Sequence, residues 1–173
     1  MEDVIISIDP GVRGCGVSLF VGGQLVAASY VPGIGGHANP LLECANEVVG
    51  QIDTWGVTAK NMEEYEMSPI PRANIAVIEV PQIYREAQQK GAQEDLIRLA
   101  IVVGTVAHAI EDYCHSILFI EPHDWKGNTP KDISETRTRG KLSPEELQCV
   151  EDAGAKQHNT WDAIGIGLWR VGR

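Results

Sequence analysis

A buried strand that ends in an acid constrains this chain more than any other stretch. Val4, Ile5, Ile6 and Ile8 form an apolar, mostly β-branched run of the kind found in strands covered on both faces. Asp9 closes that run, Pro10 presets φ for a turn, and Gly11 lets the chain reverse. Gly14 and Gly16 open the next strand and are expected to leave bare backbone beside Asp9, where a ligand or phosphate approaches. An acid in an apolar strand costs free energy unless a cation meets it. The rest of the chain must therefore supply or recruit positive charge at this point.

Composition bounds the answer. The chain has 173 residues, 43% hydrophobic and 22% charged, which predicts one domain over residues 1–173 with a substantial core. No apolar run approaches membrane-spanning length, and the acidic start Met1-Glu2-Asp3 lacks the basic region of a signal peptide. A cytoplasmic protein without a membrane partner is expected. Cys15, Cys44, Cys114 and Cys149 show neither a C-x-x-C pair nor zinc-like spacing, so they read as free thiols used as small hydrophobes.

The net charge of −10 argues against a general nucleic-acid surface. The charge is uneven, however. Residues 1–66 hold nine acids and two bases, whereas residues 126–141 hold five bases (Lys126, Lys131, Arg137, Arg139, Lys141) and two acids. Any surface for nucleic acid should be local and built from the second half.

Along the chain, Gly14–Phe20 and Gln24–Val31 read as a hairpin turning at Val21-Gly22-Gly23. Asn39-Pro40 starts a helix whose apolar positions run Leu41, Leu42, Ala45, Val48, Val49 and Ile52, with an exit at Gly56. Residues 57–74 read as a connector, with room for a short helical piece around Lys60–Tyr65. Ile75–Ile78 is a second buried strand that also ends in an acid, Glu79, and the loop Ile83–Gly91 carries Tyr84 and Arg85. A long helix follows from about Gln93 to Tyr113, with a stripe of Leu96, Leu99, Ala100, Val103, Val106, Ala107 and Ile110 broadened by Ile97, Ile101 and Val102. So wide an apolar surface belongs to a central helix or to a subunit interface.

Ser116–Glu121 is a third strand, and Pro122–Gly127 starts a short helix. Asn128–Leu142 is polar and basic and reads as a loop. Ser143-Pro144-Glu145-Glu146 has the signature of a capping box, with its helix ending at Gly154. The last helix, His158–Trp169, places Trp161, Ile164 and Leu168 on one side, with Ala163, Gly165 and Gly167 small enough for close packing on a sheet.

Asp9, Glu79 and Asp162 thus lie on three elements. Parallel strands aim their C-terminal ends at one edge, where ligands bind. Converging carboxylates without a nearby base are best explained by hard divalent cations, Mg²⁺ or Mn²⁺, of a kind that supports phosphodiester hydrolysis in pairs. His158 and Asn159, four and three residues before Asp162, share its helical face, and either completes the metal site. Singly, each acid has an ordinary explanation: a turn cap, a strand-end acid, a solvated helix residue. Three in this order and context favour the metal.

Asp9-Pro10-Gly11, Ile78-Glu79-x-Pro81-Gln82 and His158-Asn159-Thr160-Trp161-Asp162-Ala163-Ile164-Gly165 resemble, in order and spacing, the RuvC-type Holliday junction resolvases of the ribonuclease H-like superfamily. Trp125-Lys126-Gly127-x-x-Pro130-Lys131 looks like the phage-encoded branch. The resemblance implies an α/β ribonuclease H-like fold with a mixed five-stranded sheet flanked by helices. It also implies a homodimer that cuts two strands of a four-way DNA junction with Mg²⁺. Asp9, Glu79 and Asp162 match the family's ligands. The family's fourth ligand falls at Asn159, one residue after the histidine, and His158 is the favoured donor. The DNA contacts expected are Tyr84, Arg85, Lys126, Lys131, Arg137, Arg139 and Lys141, with Tyr84 either stacking on an unpaired base or standing as an ordinary exposed loop tyrosine. The helix at 93–113 suits the dimer interface. The rival readings are a broader debranching nuclease, a non-catalytic junction binder, and an ATP-binding domain of the actin and sugar-kinase kind, for which the chain is too short.

Overall fold

The structure is a computed structural model that describes residues 2–33, 40–60, 70–82, 93–152 and 158–173. Tyr84 and Arg85, with the rest of the 83–91 loop, lie outside the described residues, as do Asn39, Gly154 and all but the first residue of the 60–65 piece.

Three antiparallel strands open the chain: β1 (Val4–Asp9), β2 (Gly14–Val21) and β3 (Gln24–Pro32). The β2–β3 turn is made by Gly22 and Gly23 at φ 57° and 81°, the left-handed pair that matches the twist of a hairpin. Helix α1 (Pro40–Thr54) crosses back, and its chain leaves through Gly56 at φ 75°. Strand β4 (Ile75–Glu79) joins β1 in parallel, and β5 (Ile117–Ile120) joins β4 in parallel. The sheet order is β3-β2-β1-β4-β5, the mixed five-stranded sheet expected.

Strand alternation divides the core in two. Ile6, Ile8, Val17, Leu19, Ala76 and Ile78 face α1 and α2 (Gln93–Ala109), where Val48, Ile52, Val102 and Val106 close over them. Ile5, Phe20 and Val77 face the opposite side, against Trp161, Ile164 and Leu168 of α6 (His158–Arg170). On that side Ser7 and Ser18 exchange a hydroxyl hydrogen bond of 2.7 Å, and Ser18 donates to the Ala163 carbonyl at 3.2 Å. A Cβ on Gly167 would collide with Phe20 and Ser7, so this glycine lets α6 settle on the sheet as expected. Gly165 serves another contact, the Trp125 ring and Thr138.

Two expectations need correction. The segment read as a loop contains helix α4 (Lys131–Gly140). Its buried positions are Ser134 and Thr138, four residues apart but polar, so no apolar period announced them. Asp132 in the first turn, Arg137 and Arg139 in the last, and the Glu135–Arg139 pair at 3.1 Å suit a helix. The long helix, in turn, gives way to a 3₁₀ turn at Glu111–Tyr113 and is less buried than its sequence implies. Only Val102, Val103, Val106 and Ala107 are buried in α2, while Ile97 and Ile101 stand 62% and 45% exposed.

The short helix α3 (Pro122–Lys126) starts at a capping box of Glu121 and Asp124, and α5 (Pro144–Asp152) at the box of Ser143 and Glu146 read from the sequence. The four cysteines are free thiols, and Cys15 and Cys44 sit with their sulfurs 2.9 Å apart in the core. Among the described residues no helix is long and apolar enough to cross a membrane.

Candidate metal and DNA site

Asp9 and Glu79 end two neighbouring parallel strands in which Ile8 is paired with Ile78, so the acids stand side by side at one sheet edge. Ser7 and Val77, two residues earlier, face α6, and the same alternation turns both acids toward that helix. Asp162, on the second turn of α6, meets them there. Asp9 and Asp162 are 7% and 4% exposed, and the Glu79 side chain 13%. Glu121 follows β5, one residue past Ile120, the partner of Glu79, and caps the next helix.

The charge at the acids is not left to a metal alone, contrary to the expectation of no nearby base. Lys126, at the end of α3, holds its ammonium 3.2 Å from Asp162 Oδ2 and 3.7 Å from Glu79 Oε2. Lys131, at the start of α4, reaches Asp162 Oδ2 at 3.6 Å. Trp125 donates from Nε1 to Glu79 Oε2 at 2.5 Å, a role the sequence did not reveal. The tight turn of α3 after β5 delivers both residues, and the bulky Trp125 ring fits because residue 165 is glycine.

Burial pushes the Asp9 carboxyl well above the ordinary carboxylate range, and the charges of Glu79 and Asp162 push it further, against Lys126 and Lys131. Burial also raises Glu79, against Lys126 and the Trp125 hydrogen bond. Burial opposes the Lys126 ammonium, but Glu79, Asp162 and Asp9 together outweigh it, and its pKa ends above the ordinary lysine value.

Asp9 is buried and close enough to Glu79 and Asp162 for both charges to act on it, so the three acids converge on one place. The hard oxygens of Asp9, with those of Glu79 and Asp162, fit a divalent cation. They do not form a closed cage: among the described residues no three His, Cys, Asp or Glu stand together at metal-binding spacing, and Glu79 and Asp162 share the Lys126 ammonium instead.

The structure does not bring His158 to the acids. Its ring is 68% exposed, with Nδ1 3.8 Å from Glu135 Oε2. Asn159 donates from Nδ2 to the Gly14 carbonyl at 2.9 Å. That contact corrects the reading of the glycines. A Cβ on Gly16 would run into the Asn159 backbone, and one on Gly14 into the Tyr30 hydroxyl. These glycines make room for the first turn of α6 and for Tyr30, so the bare backbone beside Asp9 is already covered.

Of the expected DNA contacts, Lys126 is turned inward to the acids, and Lys131 is half exposed beside them. Arg139 lies 3.8 Å over the Trp161 ring and pairs with Glu135, so its guanidinium serves the fold. Lys141 donates to the Arg173 carbonyl at 2.7 Å. Arg137 donates to the Thr129 hydroxyl at 3.3 Å and pairs with no carboxylate among the described residues.

This mixed five-stranded sheet flanked by helices is the ribonuclease H-like fold seen in RuvC structures. A structure of Thermus thermophilus RuvC in complex with a Holliday junction substrate superposes with a TM-score of 0.64 at 17% identity, covering 96% of this chain and 90% of that one. A second Thermus thermophilus RuvC structure gives 0.52 at 19% identity over 95% and 91% of the two chains. The yeast mitochondrial Holliday junction resolvase Ydc2 gives 0.51 at 11% identity over 98% and 80%. No protein-family model and no curated protein sequence matches the chain.

Proposed function

We propose that this chain is a metal-dependent endonuclease that resolves four-way DNA junctions by cutting two strands as a homodimer. The observation that carries the reading is the buried convergence of Asp9, Glu79 and Asp162 at the sheet edge. It is supported by a fold shared over nearly the whole chain with a RuvC structure that holds a Holliday junction.

Mg²⁺ or Mn²⁺, two ions per site, would supply activation of water and stabilisation of the leaving oxygen. Asp9, Glu79 and Asp162 are the residues that would hold them. Trp125 fixes the Glu79 carboxylate through Oε2. Lys126 and Lys131 lie where a phosphate drawn to the acids meets two ammonium groups, which positions a strand that the rest of an acidic protein repels. The paired cuts require two copies, and the exposed Ile97 and Ile101 of α2 offer the surface for them.

The test is Mg²⁺-dependent cleavage of a fixed four-way junction beside a linear duplex and a Y-fork. The junction is expected to be cut at paired positions and the duplex left intact. Asp9→Asn should lose cutting by more than the 10–100-fold, roughly, that loss of a supporting partner costs, while still binding the junction in Ca²⁺. Equal cutting of junction and duplex would overturn junction selectivity, and equal cutting of junction and fork would make the chain a general debranching nuclease. Full activity in Asp9→Asn would remove the site assignment.

A further inference from the structure

Behind Trp125 and Lys126, where α3, α4 and the last turn of α6 diverge, lies a cleft of about 370 Å³. Three of its features point to one kind of ligand. No Asp or Glu lines it, in a chain of net charge −10, while Lys126, Arg137, Lys141 and Arg173 all do. Three of those cations are committed: Lys126 to the acids, Arg173 to Glu146 at 2.6 Å, and Lys141 to a carbonyl. Arg137 alone has neither a carboxylate nor a carbonyl partner among the described residues. Lastly, Trp169 follows nine consecutive buried residues of α6 yet is itself 37% exposed, leaving an indole open to the cleft.

We propose that this cleft binds one deoxynucleotide of the DNA strand, with its base against Trp169 and its phosphate on Arg137. A guanidinium with no carboxylate or carbonyl partner among the described residues, beside an open aromatic surface, is the pairing that holds single-stranded nucleic acid. The volume lies at the small end of the roughly 300–1,000 Å³ usual for ligand pockets, enough for one nucleotide and too little for a duplex. Trp125 and Lys126 form a wall of the cleft and also touch Glu79 and Asp162, so a strand placed at the acids continues into it. Such a pocket favours DNA whose strand can be splayed, as at a branch point. This inference rests on the reading of the acids as a DNA-cutting site and adds the position of an unstacked nucleotide beside it.

The experiment is a binding titration in EDTA, where no cutting occurs, using a labelled twelve-nucleotide oligothymidylate, the corresponding duplex, and free thymidine monophosphate. The single strand is expected to bind more tightly than the duplex. Arg137→Ala and Trp169→Ala should each weaken strand binding by about 10-fold, within the range for loss of one stacked base or one charge-assisted contact. Arg137→Ala should also flatten the dependence of log K on log salt by about 0.7, whereas Trp169→Ala should leave that slope unchanged. Trp169→Phe keeps an aromatic ring and should restore most of the affinity, which separates stacking from a folding defect. Wild-type affinity in both alanine variants would overturn the proposal, as would free thymidine monophosphate binding as tightly as the strand. Because the readout is binding alone, a chain that binds the strand here but never cuts a junction would sink the nuclease reading and leave the cleft standing.

Discussion

At Asp9, burial and two neighbouring carboxylates raise the pKa, two lysines lower it, and the balance stays above the ordinary value. A carboxyl whose folded pKa is raised takes up protons on folding, so stability falls as pH rises from the ordinary carboxylate range through the raised value. In the metal-free protein, ionising Asp9 therefore costs stability. Asp9→Asn is expected to melt at a higher temperature than wild type in EDTA at pH 7.5, and to lose part of the wild-type decline above pH 4. Mg²⁺ should raise the melting temperature of wild type far more than that of the variant, since it binds only the folded acids. Thermal unfolding with and without the ion measures both; an asparagine variant no more stable in EDTA would mean that the lysines compensate Asp9 fully. Trp125→Phe acts through Glu79. Without the indole donor the Glu79 pKa rises further, so the acid limb of the pH–rate profile should move to higher pH and cleavage should drop about 10–100-fold. An unmoved acid limb would take Trp125 out of the site. Asp9 and Glu79 were legible because each closes an apolar run, and Asp162 from its place on the last helix together with the resemblance. Lys126 was expected as a DNA contact, but its pairing with Asp162 and the Trp125 bond to Glu79 were not legible, since they span 36 and 46 residues and depend on how sharply α3 turns.

Among the elements, legibility followed the kind of side chain that does the packing. The five strands and the capping box at Ser143 were readable because β-branched runs and cap residues leave a local signature. Helix α4 was not, because it packs through Ser134 and Thr138 and covers Trp161 with an arginine. The capping residue Glu146 proved to do more than cap. It is buried, accepts from the Leu25 backbone at 2.8 Å, and pairs with Arg173, so it ties α5 to both β3 and the chain end. The Arg173 hydrogen bonds, outweighing burial, hold its pKa down from 4.5 to about 2. A depressed carboxyl stabilises the fold above its ordinary pKa and loses that contribution as pH falls through the folded one, here between 4.5 and about 2. The contribution at pH 7 is on the order of 3 kcal/mol. Glu146→Gln should lower stability by about that amount at pH 7 and have much less effect at pH 2. Denaturant titrations at the two pH values decide it: an equal loss at both would assign the effect to packing instead of charge.

For the whole molecule, the two faces of the sheet divide the work. The acids and the basic cleft lie on the α6 side, while α1 and α2 cover the other. A second copy seated on α2 therefore leaves the proposed DNA face of each chain clear. The sequence showed α2 as too apolar for one purpose, and the structure shows where the surplus lies: Val102 and Val106 enter the core, whereas Ile97 and Ile101, one turn apart, face outward. These two exposed apolar side chains are the surface proposed for contact with a second copy. Ile97→Glu with Ile101→Glu should convert a dimer to a monomer in sedimentation. Because both positions are exposed, stability within the monomer should change by no more than about 0.5 kcal/mol per site. The monomer keeps its own Asp9, Glu79 and Asp162, so it should still nick DNA in Mg²⁺. What it should lose is the pairing of cuts: on a plasmid carrying an extruded cruciform, nicked circles should accumulate where wild type yields linear product. A variant that still sediments as a dimer would move the interface off α2, and one that is monomeric yet still linearises the plasmid would show that two cuts do not need two linked copies.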